Sequence, residues 1–326
     1  MNLSNPIFHE EDKAREHFEA LRWPNGPYCP HCGNADPERV SKLDGTSHRP
    51  GLYLCNECRE QFTVTVGSVM ERSHIPLAKW ALGFFLMASS KKGVSAHQLM
   101  RQLGHGSYRT AWFMAHRIRE AMKEDAGDTG PLGGEGKVIE ADETYYGKAE
   151  TPRKRSPRSA PGKTGKRHPS TKKCIIVSLV ERGGRARSFH VEAATGHDIR
   201  AIMVANVSRK SDLNTDEAGI YKELGEEFAR HEAVNHSKDE YARYVNERLI
   251  TTNSVEGFFS TFKRGMKGIY QHCGEAHLHR YLAEFDFRYN RRAKLGISDA
   301  VRAEDAIKGA AGKRLTYRQA GEGHHA

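Results

Sequence analysis

Two Cys-x-x-Cys pairs near the start of the chain limit its possible folds more than any other feature of the sequence. Cys29 and Cys32 lie in YCPHCG, and Cys55 and Cys58 lie in YLCNECREQF. Two residues between thiolates let both sulfurs of a tight turn reach one tetrahedral Zn²⁺ ion, and two such turns complete a four-cysteine site. A redox pair is the alternative, but the spacing favours structural zinc. We therefore predict an N-terminal segment and a zinc ribbon over residues 1–66.

The charge of the chain indicates a polyanionic partner. With 51 Lys and Arg against 41 Asp and Glu, the formal net charge of the 326 residues is +10. Such a balance is typical of nucleic-acid-binding proteins, although solubility alone is the alternative explanation. No apolar run approaches the ~20 residues that span a bilayer, and the N-terminus has no apolar signal-peptide core. The expected location is cytoplasmic, where cysteines bind metal more often than they form disulfides.

Three segments with helical periodicity follow the cysteine region, within residues 67–123. They are PLAKWALGFFLMASSKK, SAHQLMRQLG and SYRTAWFMAHRIREAM, and the short GHG link between the last two fits a helix-turn-helix. In the third helix, a single apolar stripe predicts the buried face. The side chains away from that stripe are predicted to contact DNA: Tyr108, Arg109, His116 and Arg119. An ordinary three-helix bundle without a DNA-binding role is the alternative.

Two segments show neither helical nor strand periodicity. EDAGDTGPLGGEG, residues 124–136, is rich in glycine and predicts a linker between domains. Residues 148–173 hold ten Lys or Arg and one Glu, with prolines throughout, and predict a long basic loop inside the next domain. Four cations of this loop are predicted to bind phosphates of DNA: Arg153, Lys154, Arg155 and Arg158. A solvated insertion without such contacts is the alternative.

Residues 137–300 predict an α/β domain. KVIEADETYYG, CIIVSLVE, RSFHVE and SDLNT have the pattern of strands, whereas GHDIRAIMVANV and TTNSVEGFFSTFKRG have the pattern of helices. A hairpin followed by alternating strands and helices favours a mixed sheet. Residues 301–326 have weak periodicity and are predicted to form a C-terminal tail.

Three carboxylates fall at the positions where such a sheet would bring them together. Asp142 and Asp216 lie at the ends of two strands, and Glu256 lies near the start of the late helix. This arrangement suits two Mg²⁺ ions, which prefer carboxylate oxygens and promote in-line displacement at phosphorus. Lys263 follows Glu256 by two turns on the same helix face. Spacing alone leaves four neighbouring acids open as alternatives: Glu140, Glu143, Asp212 and Glu217.

Over residues 21–294 the chain resembles the bacterial insertion-sequence transposases of the DDE class, in the group related to Merlin transposons. The resemblance rests on seven motifs: LRWPNGPYCPHCG, TVGSVMERSHIPLAKW, TAWFMAHRIREAM, IEADETYYG, TDEAGIY, TNSVEGFFSTFKRGMKGIY and HLHRYLAEFDFRYNRR. It implies an RNase H-like catalytic domain with an acidic triad of Asp142, Asp216 and Glu256. Lys263 matches a lysine typical of the group, which implies a contact with phosphate of bound DNA.

The expected fold is therefore multidomain: a small zinc ribbon, a three-helix helix-turn-helix and an α/β RNase H-like mixed-sheet catalytic domain. The resemblance implies a transposase that binds the terminal inverted repeats of an insertion sequence, cleaves 3′ ends by two-metal hydrolysis and joins the 3′-OH to target DNA. It also implies Mg²⁺ or Mn²⁺ in the catalytic site, Zn²⁺ in the ribbon, and at least a dimer in the synapse. The alternatives are a DNA-binding regulator with an inactive catalytic domain and a nuclease that does not join strands.

The chain has six cysteines, and two of them lie outside the predicted ribbon. Cys174 begins an apolar strand and is predicted to be a core residue. Cys273 lies among His272, His277 and His279 in YQHCGEAHLHRYL. A second metal site is one interpretation of that stretch, but we interpret its side chains as packing or DNA-contact residues.

Overall fold

The computed structural model describes residues 2–124, 129–147, 173–238 and 240–316. The chain divides into two compact units. The first unit consists of two stretches of the sequence, Met1–Glu124 and Arg291–Ala326. The second unit consists of Asp125–Asn290. The predicted phosphate contacts Arg153, Lys154, Arg155 and Arg158 lie outside the described residues.

The first unit begins with a helix and a small three-stranded sheet. These elements are α1 (Glu11–Arg22), β1 (Val40–Lys42), β2 (Tyr53–Cys55) and β3 (Gln61–Phe62). The strands form an antiparallel sheet in the order β1-β2-β3. Its core is aromatic, because the ring centroid of Trp23 lies 5.2 Å from that of Tyr53 and 5.9 Å from that of Phe62. A sheet of this size buries little apolar surface, so bound metal would supply much of its stability.

The three predicted helices are present in the first unit. They are α2 (Leu77–Ser89), α3 (Ala96–Leu103) and α4 (Tyr108–Met122). Ser95 caps α3, since its Oγ accepts a hydrogen bond from the backbone N–H of Gln98 at 3.1 Å. Gly104 ends α3 in the left-handed conformation, with φ of +61°. The turn between α3 and α4 is therefore short, as the sequence predicts.

The C-terminal region differs from the predicted tail. Asp299–Lys308 forms a helix, here called the C-terminal helix, which packs against α2 and also against α4. Its buried side chains are Arg302, Ala303, Ala306 and Ile307. The guanidinium of Arg302 donates a hydrogen bond to the backbone carbonyl of Ala88 at 3.1 Å. Ser298 caps this helix, since its Oγ accepts a hydrogen bond from the backbone N–H of Val301 at 3.3 Å, a start signal that the prediction of a tail did not take into account.

The second unit is built on a five-stranded mixed sheet. Its strands are β4 (Val138–Tyr146), β5 (Cys174–Glu181), β6 (Ala186–Val191), β7 (Asp212–Thr215) and β8 (Arg230–Ala233), in the order β6-β5-β4-β7-β8. Strands β4, β5 and β6 are antiparallel neighbours, whereas β7 and β8 are added in parallel. A separate hairpin consists of β9 (Ala242–Val245) and β10 (Arg248–Thr251). The predicted α/β domain with a mixed sheet is confirmed.

Helices cover both faces of this sheet. They are α5 (Gly196–Asn206), α6 (Asn253–Gly265) and α7 (Leu278–Asn290). In β5, Ile176 packs into one core with residues of α6 and α7, while Val177 packs into a second core with residues of α5. Alternate residues of a strand point to opposite faces, so the continuous apolar run of β5 follows from burial on both sides.

The predicted linker, residues 124–136, belongs in part to the second unit. Leu132 is fully buried in the core that contains α5. Its backbone N–H donates to the carbonyl of Asn206 at 2.8 Å, and its carbonyl accepts from the N–H of Ser208 at 2.9 Å. Glycine-rich composition predicted a linker, but Leu132, with its burial and two backbone hydrogen bonds, is fixed on the second unit.

The end of the C-terminal helix gives a test of its packing. A Cβ atom on Gly309 would lie 2.4 Å from the backbone oxygen of Ala121. We expect Gly309→Ala to lower the free energy of unfolding by about 1–3 kcal/mol, because backbone cannot yield as a flexible side chain can. Urea denaturation measures this change. Gly106→Ala is the matched control, because no atom would lie within 4 Å of its added methyl group and its effect should stay within about 0.5 kcal/mol. Equal stability of the two variants would contradict this packing.

Candidate active site and zinc ribbon

Asp142 and Asp216 lie on neighbouring parallel strands of the sheet. The register of β4 and β7 places Glu140 opposite Asn214, and both strands run on from there toward the two aspartates. Asp216 directly follows the last residue of β7. The two carboxyl groups are close enough for the charge of Asp216 to act on Asp142. The parallel pairing thus brings together two acids that lie more than seventy residues apart in sequence.

The start of α6 is attached to the central strand by the carboxylate of Glu140, which is completely buried. Its Oε2 accepts hydrogen bonds from the backbone N–H groups of Ser254 at 2.6 Å and Val255 at 3.2 Å. Its Oε1 accepts from the Oγ of Ser254 at 3.0 Å and from Nε of Arg182 at 2.9 Å. A carboxylate at this position satisfies free N–H groups of the first helical turn and interacts favourably with the helix dipole.

Glu256 enters the site from the first turn of α6. Its Oε1 accepts a hydrogen bond from the Oγ of Thr252 at 2.9 Å and lies 3.4 Å from Nε2 of His236. The side chain of Glu256 is 41% exposed. It is therefore held in position by a hydroxyl and an imidazole while one side remains open to solvent.

The acids raise the pKa of Asp142. Burial is the largest cause and raises the pKa of this carboxyl to about 7, although the backbone N–H of Glu143 opposes it with a 2.7 Å hydrogen bond to Oδ1. The negative charges of Asp216, Glu143 and Glu256 are smaller causes of the same rise in the pKa of Asp142. Since all three repel the Asp142 carboxylate, the site carries an excess of negative charge that a cation would neutralise.

Glu143 is a fourth acid at this site. The phenol of Tyr221, which is completely buried, donates a hydrogen bond to Oε2 of Glu143 at 2.7 Å. Burial raises the pKa of Glu143, and the charge of Asp216 adds to this effect. Burial and the nearby Glu143 carboxylate also raise the pKa of Tyr221, which therefore remains a hydrogen-bond donor. This pair fixes Glu143 beside the predicted triad.

An open cleft of about 910 Å³ adjoins the acids along α6. Its lining residues are Asp142, Glu143, Thr144, Glu256, Phe259, Ser260, Lys263, Arg264, Lys267 and Gly268. A smaller cleft continues past Lys263 and Lys267 to Lys173. The helix thus presents Glu256 at its beginning and cations farther along. Lys263 lies in the same cleft as Glu256, on the side that the sequence predicts.

The four cysteines of the predicted ribbon converge in the first unit. Sγ of Cys29 lies 3.6 Å from Sγ of Cys58, and Sγ of Cys32 lies 3.7 Å from Sγ of Cys55. These distances suit sulfurs that share one tetrahedral zinc ion with bonds of about 2.3 Å. The predicted zinc ribbon is confirmed.

The predicted DNA contacts of α4 divide into two groups. Tyr108 and Arg109 are exposed at the start of the helix, as predicted. His116 and Arg119 are almost completely buried, so the prediction that they contact DNA is wrong. A single apolar stripe predicted one buried face, but α4 also packs against the C-terminal helix and is covered over a wider arc.

Within the described residues, no helix is long and apolar enough to cross a membrane.

Two family models match separate parts of the chain. Residues 131–290 match the ISXO2-like transposase domain, and residues 9–61 match the transposase zinc-ribbon domain. Both of these family models describe transposase domains of the IS1595 family. The model that matches residues 131–290 describes a DDE domain. The motifs around Asp142 and Glu256 predict a domain of this class.

Other similar proteins also belong to mobile elements. An uncharacterized protein in transposable element ISH50 of Halobacterium salinarum is 28% identical over 287 residues, which cover 86% of this chain and 91% of that protein. The Mos1 transposase paired-end complex with the left transposon end matches with a TM-score of 0.27 and 14% identity, over 72% of this chain and 80% of that chain. The Mos1 strand transfer complex matches with a TM-score of 0.22 and 12% identity, over 69% and 78%.

The sequence did not predict several residues that surround the acids in the second unit. Glu140 and Glu143 appeared only as alternatives for Asp142, although alternation along a strand already places Glu140 on the same face as Asp142. Tyr221 and His236 carry no sequence signal for their positions. Each reaches the site through a tertiary contact that spacing along the chain does not encode.

The raised pKa of Asp142 predicts how pH affects the metal-free protein. In the unfolded chain this carboxyl releases its proton near pH 4, whereas in the folded protein it does so near pH 7. The stability that it contributes is therefore present below about pH 4 and is lost as pH rises through 7. In EDTA, we expect the melting temperature of the wild-type protein to fall relative to that of Asp142→Asn between pH 5 and pH 8. A difference that does not change with pH would contradict the raised pKa.

The hydrogen bonds of Glu140 to the first turn of α6 predict that replacing this carboxylate destabilises the second unit. Glu140→Gln keeps one accepting oxygen but replaces the other with an amide that cannot accept from the N–H groups of Ser254 and Val255. We expect a loss of about 2–4 kcal/mol in the free energy of unfolding, because Arg182 also loses its buried partner. Urea denaturation measures this loss. Glu192→Gln is the control, since Glu192 is exposed on the same unit. Similar urea midpoints of unfolding for the two variants would show that Glu140 does not hold the start of α6.

Proposed function

We propose that this chain is a transposase of the bacterial, Merlin-related group that acts on the ends of an insertion sequence. It would bind the terminal inverted repeats and hydrolyse the phosphodiester bond at each element end, which frees a 3′-OH group. It would then join this 3′-OH to target DNA. The observation that carries the proposal is that Asp142 and Glu256 line one end of a cleft whose continuation is basic, while Asp216 is close enough for its charge to act on Asp142. The two transposase family models that match the chain support the same reaction class.

The residues of the acidic site fit divalent cations. Asp142 has a raised pKa because it is buried and other carboxylates crowd it, and oxygen donors of this kind are the ligands that Mg²⁺ and Mn²⁺ prefer. Asp142, Asp216 and Glu256 would hold the ions. When bound, two such ions activate the attacking oxygen and stabilise the leaving oxygen in displacement at phosphorus.

Side chains of α6 and of the residues just after it would position the DNA backbone. Lys263, Arg264 and Lys267 line the cleft beyond Glu256, where phosphates of a strand entering the site would lie. Cations at phosphates fix register and orientation without reading sequence. Thr252 and His236 would keep Glu256 directed toward the reacting phosphate. Cleavage and joining would use the same residues, because both are attacks by an oxygen on phosphorus.

Recognition of the terminal repeats would be a function of the first unit. Tyr108 and Arg109 are exposed at the beginning of α4, the part of a recognition helix that reaches base edges in the major groove. The zinc ribbon would stabilise this unit. The basic loop at residues 148–173 would add phosphate contacts through its lysines and arginines. Because a synapse joins two transposon ends, we propose that the active form is at least a dimer.

Two substitutions on α6 separate catalysis from DNA positioning. Glu256→Gln keeps the size of the side chain but removes a carboxylate charge, so we expect it to abolish cleavage and joining while end binding is preserved. Lys263→Ala removes one phosphate contact and should slow the reaction by about 10²–10³-fold. Lys210→Ala, which changes an exposed lysine outside the cleft, should react at the wild-type rate.

The assay uses the full-length protein, a plasmid carrying both element ends, and Mg²⁺. Cut and joined products together support the proposed function. Cutting without joining would favour the nuclease, and end binding without cutting would favour the regulator with an inactive domain. Normal cleavage by Glu256→Gln would mean that the third acid lies elsewhere.

A further inference from the structure

We propose that Cys174, His190 and Glu275 form a second zinc site, separate from the ribbon and from the acidic cleft. One potential ligand atom from each residue lies within 4.8 Å of the other two. These residues come from β5, from β6 and from the turn before α7, so they are distant in sequence and adjacent only in the fold. The proposal does not depend on the transposase reaction.

The register of the sheet explains why Cys174 and His190 meet. His190 lies directly opposite Ile176 in the antiparallel pair of β5 and β6. Cys174 precedes Ile176 by two residues, so it points to the same face and is a diagonal neighbour of His190. Cys174 and Ile176 both pack in the core beneath α6 and α7. The two side chains are thus fixed by strand pairing, independent of any flexible segment.

Glu275 closes the cluster from the opposite side. It begins the single 3₁₀ turn Glu275–His277, which leads directly into α7. Its Oε1 lies 3.5 Å from Nε2 of His190. In the part of the chain that the structure describes, this nitrogen is buried and has no hydrogen-bond partner. A buried imidazole nitrogen without a partner is unfavourable, and coordination to a metal ion would satisfy it.

The donor set selects zinc among the common metal ions. One thiolate, one imidazole and one carboxylate are a combination found around Zn²⁺, whereas Mg²⁺ and Ca²⁺ prefer oxygen ligands alone. Bonds of about 2.0–2.3 Å place zinc ligands about 3.3–3.8 Å apart, so a small inward movement of these side chains would complete the coordination. His190 and Glu275 are 19% and 16% exposed, which leaves room for a water molecule as the fourth ligand.

This zinc ion would attach the beginning of α7 to the edge of the sheet. The predictions from sequence considered Cys273 and its neighbouring histidines as metal ligands, and considered Cys174 as a core residue only. The structure differs because Cys174 is both buried and within reach of His190, while Cys273 lies outside the cluster. The alternative is a simple ion pair of His190 with Glu275 beside a thiol that takes no part.

Zinc content of the full-length protein, purified from zinc-supplemented medium without chelators, tests the site. We expect two zinc ions per wild-type chain by elemental analysis. Cys174→Ser and His190→Ala should each reduce the content to one, and so should the ribbon variant Cys55→Ser with Cys58→Ser. Adding Cys174→Ser to the ribbon variant should remove all zinc. Cys273→Ser is the matched control and should keep two.

The outcome that overturns the proposal is one zinc ion per wild-type chain, or two in either Cys174→Ser or His190→Ala. Either result would leave His190 and Glu275 as an ion pair. Circular dichroism and thermal unfolding establish that each variant folds, and if one of them does not, the other decides. Under the proposal, added Zn²⁺ raises the melting temperature of the ribbon variant but not that of the same variant carrying Cys174→Ser.

Discussion

The buried carboxylate of Glu140 is the interaction on which the geometry of the second unit depends. It lies on the central strand of the sheet and binds both the first turn of α6 and the guanidinium of Arg182. Arg182 in turn donates to the backbone carbonyls of Leu249 at 2.8 Å and Thr251 at 3.2 Å, just before α6 begins. One ion pair therefore fixes where the helix starts, and the helix carries Glu256 to the acids on the strands. Removing Arg182 would be costly, because the completely buried carboxylate of Glu140 would lose the cation that it faces.

The acidic site is an electrostatically unfavourable cluster that the rest of the domain holds in place. Burial and neighbouring charges raise the pKa of Asp142, and Tyr221 is the buried donor that stabilises Glu143. Apolar packing of α6 on the sheet and the Glu140 contacts offset this repulsion. A site built in this way gains stability when cations bind, because binding removes the repulsion that folding created. The same helix continues to Lys263, which places positive charge where a DNA backbone would enter.

Much of this arrangement could be predicted from particular residues. The Cys-x-x-Cys pairs predicted the ribbon because two residues between thiolates determine a local geometry. The apolar run of Cys174–Glu181 predicted a buried strand, and the spacing of Glu256 and Lys263 predicted a shared helix face. Three of the failures share one cause. His116, Arg119 and Leu132 are buried by elements distant in the chain, and periodicity reports a buried face only when one stripe carries the packing.

The sequence by itself determined part of the local chemistry of this protein: which thiolates share a turn, where the apolar strands and the helices α2–α6 lie, and that Glu256 and Lys263 share a helix face. It missed the C-terminal helix, and it put Asp142 at the end of a strand, whereas Asp142 lies in the middle of β4. Only the tertiary structure decided which of the neighbouring acids face one another. Glu140 turned out to hold a helix, Glu143 to lie beside the triad, and Cys174 to meet His190 and Glu275. The physical reason is that strand register and helix docking are set by burial and by long-range hydrogen bonds. These act between residues whose separation along the chain carries no information about their distance in space.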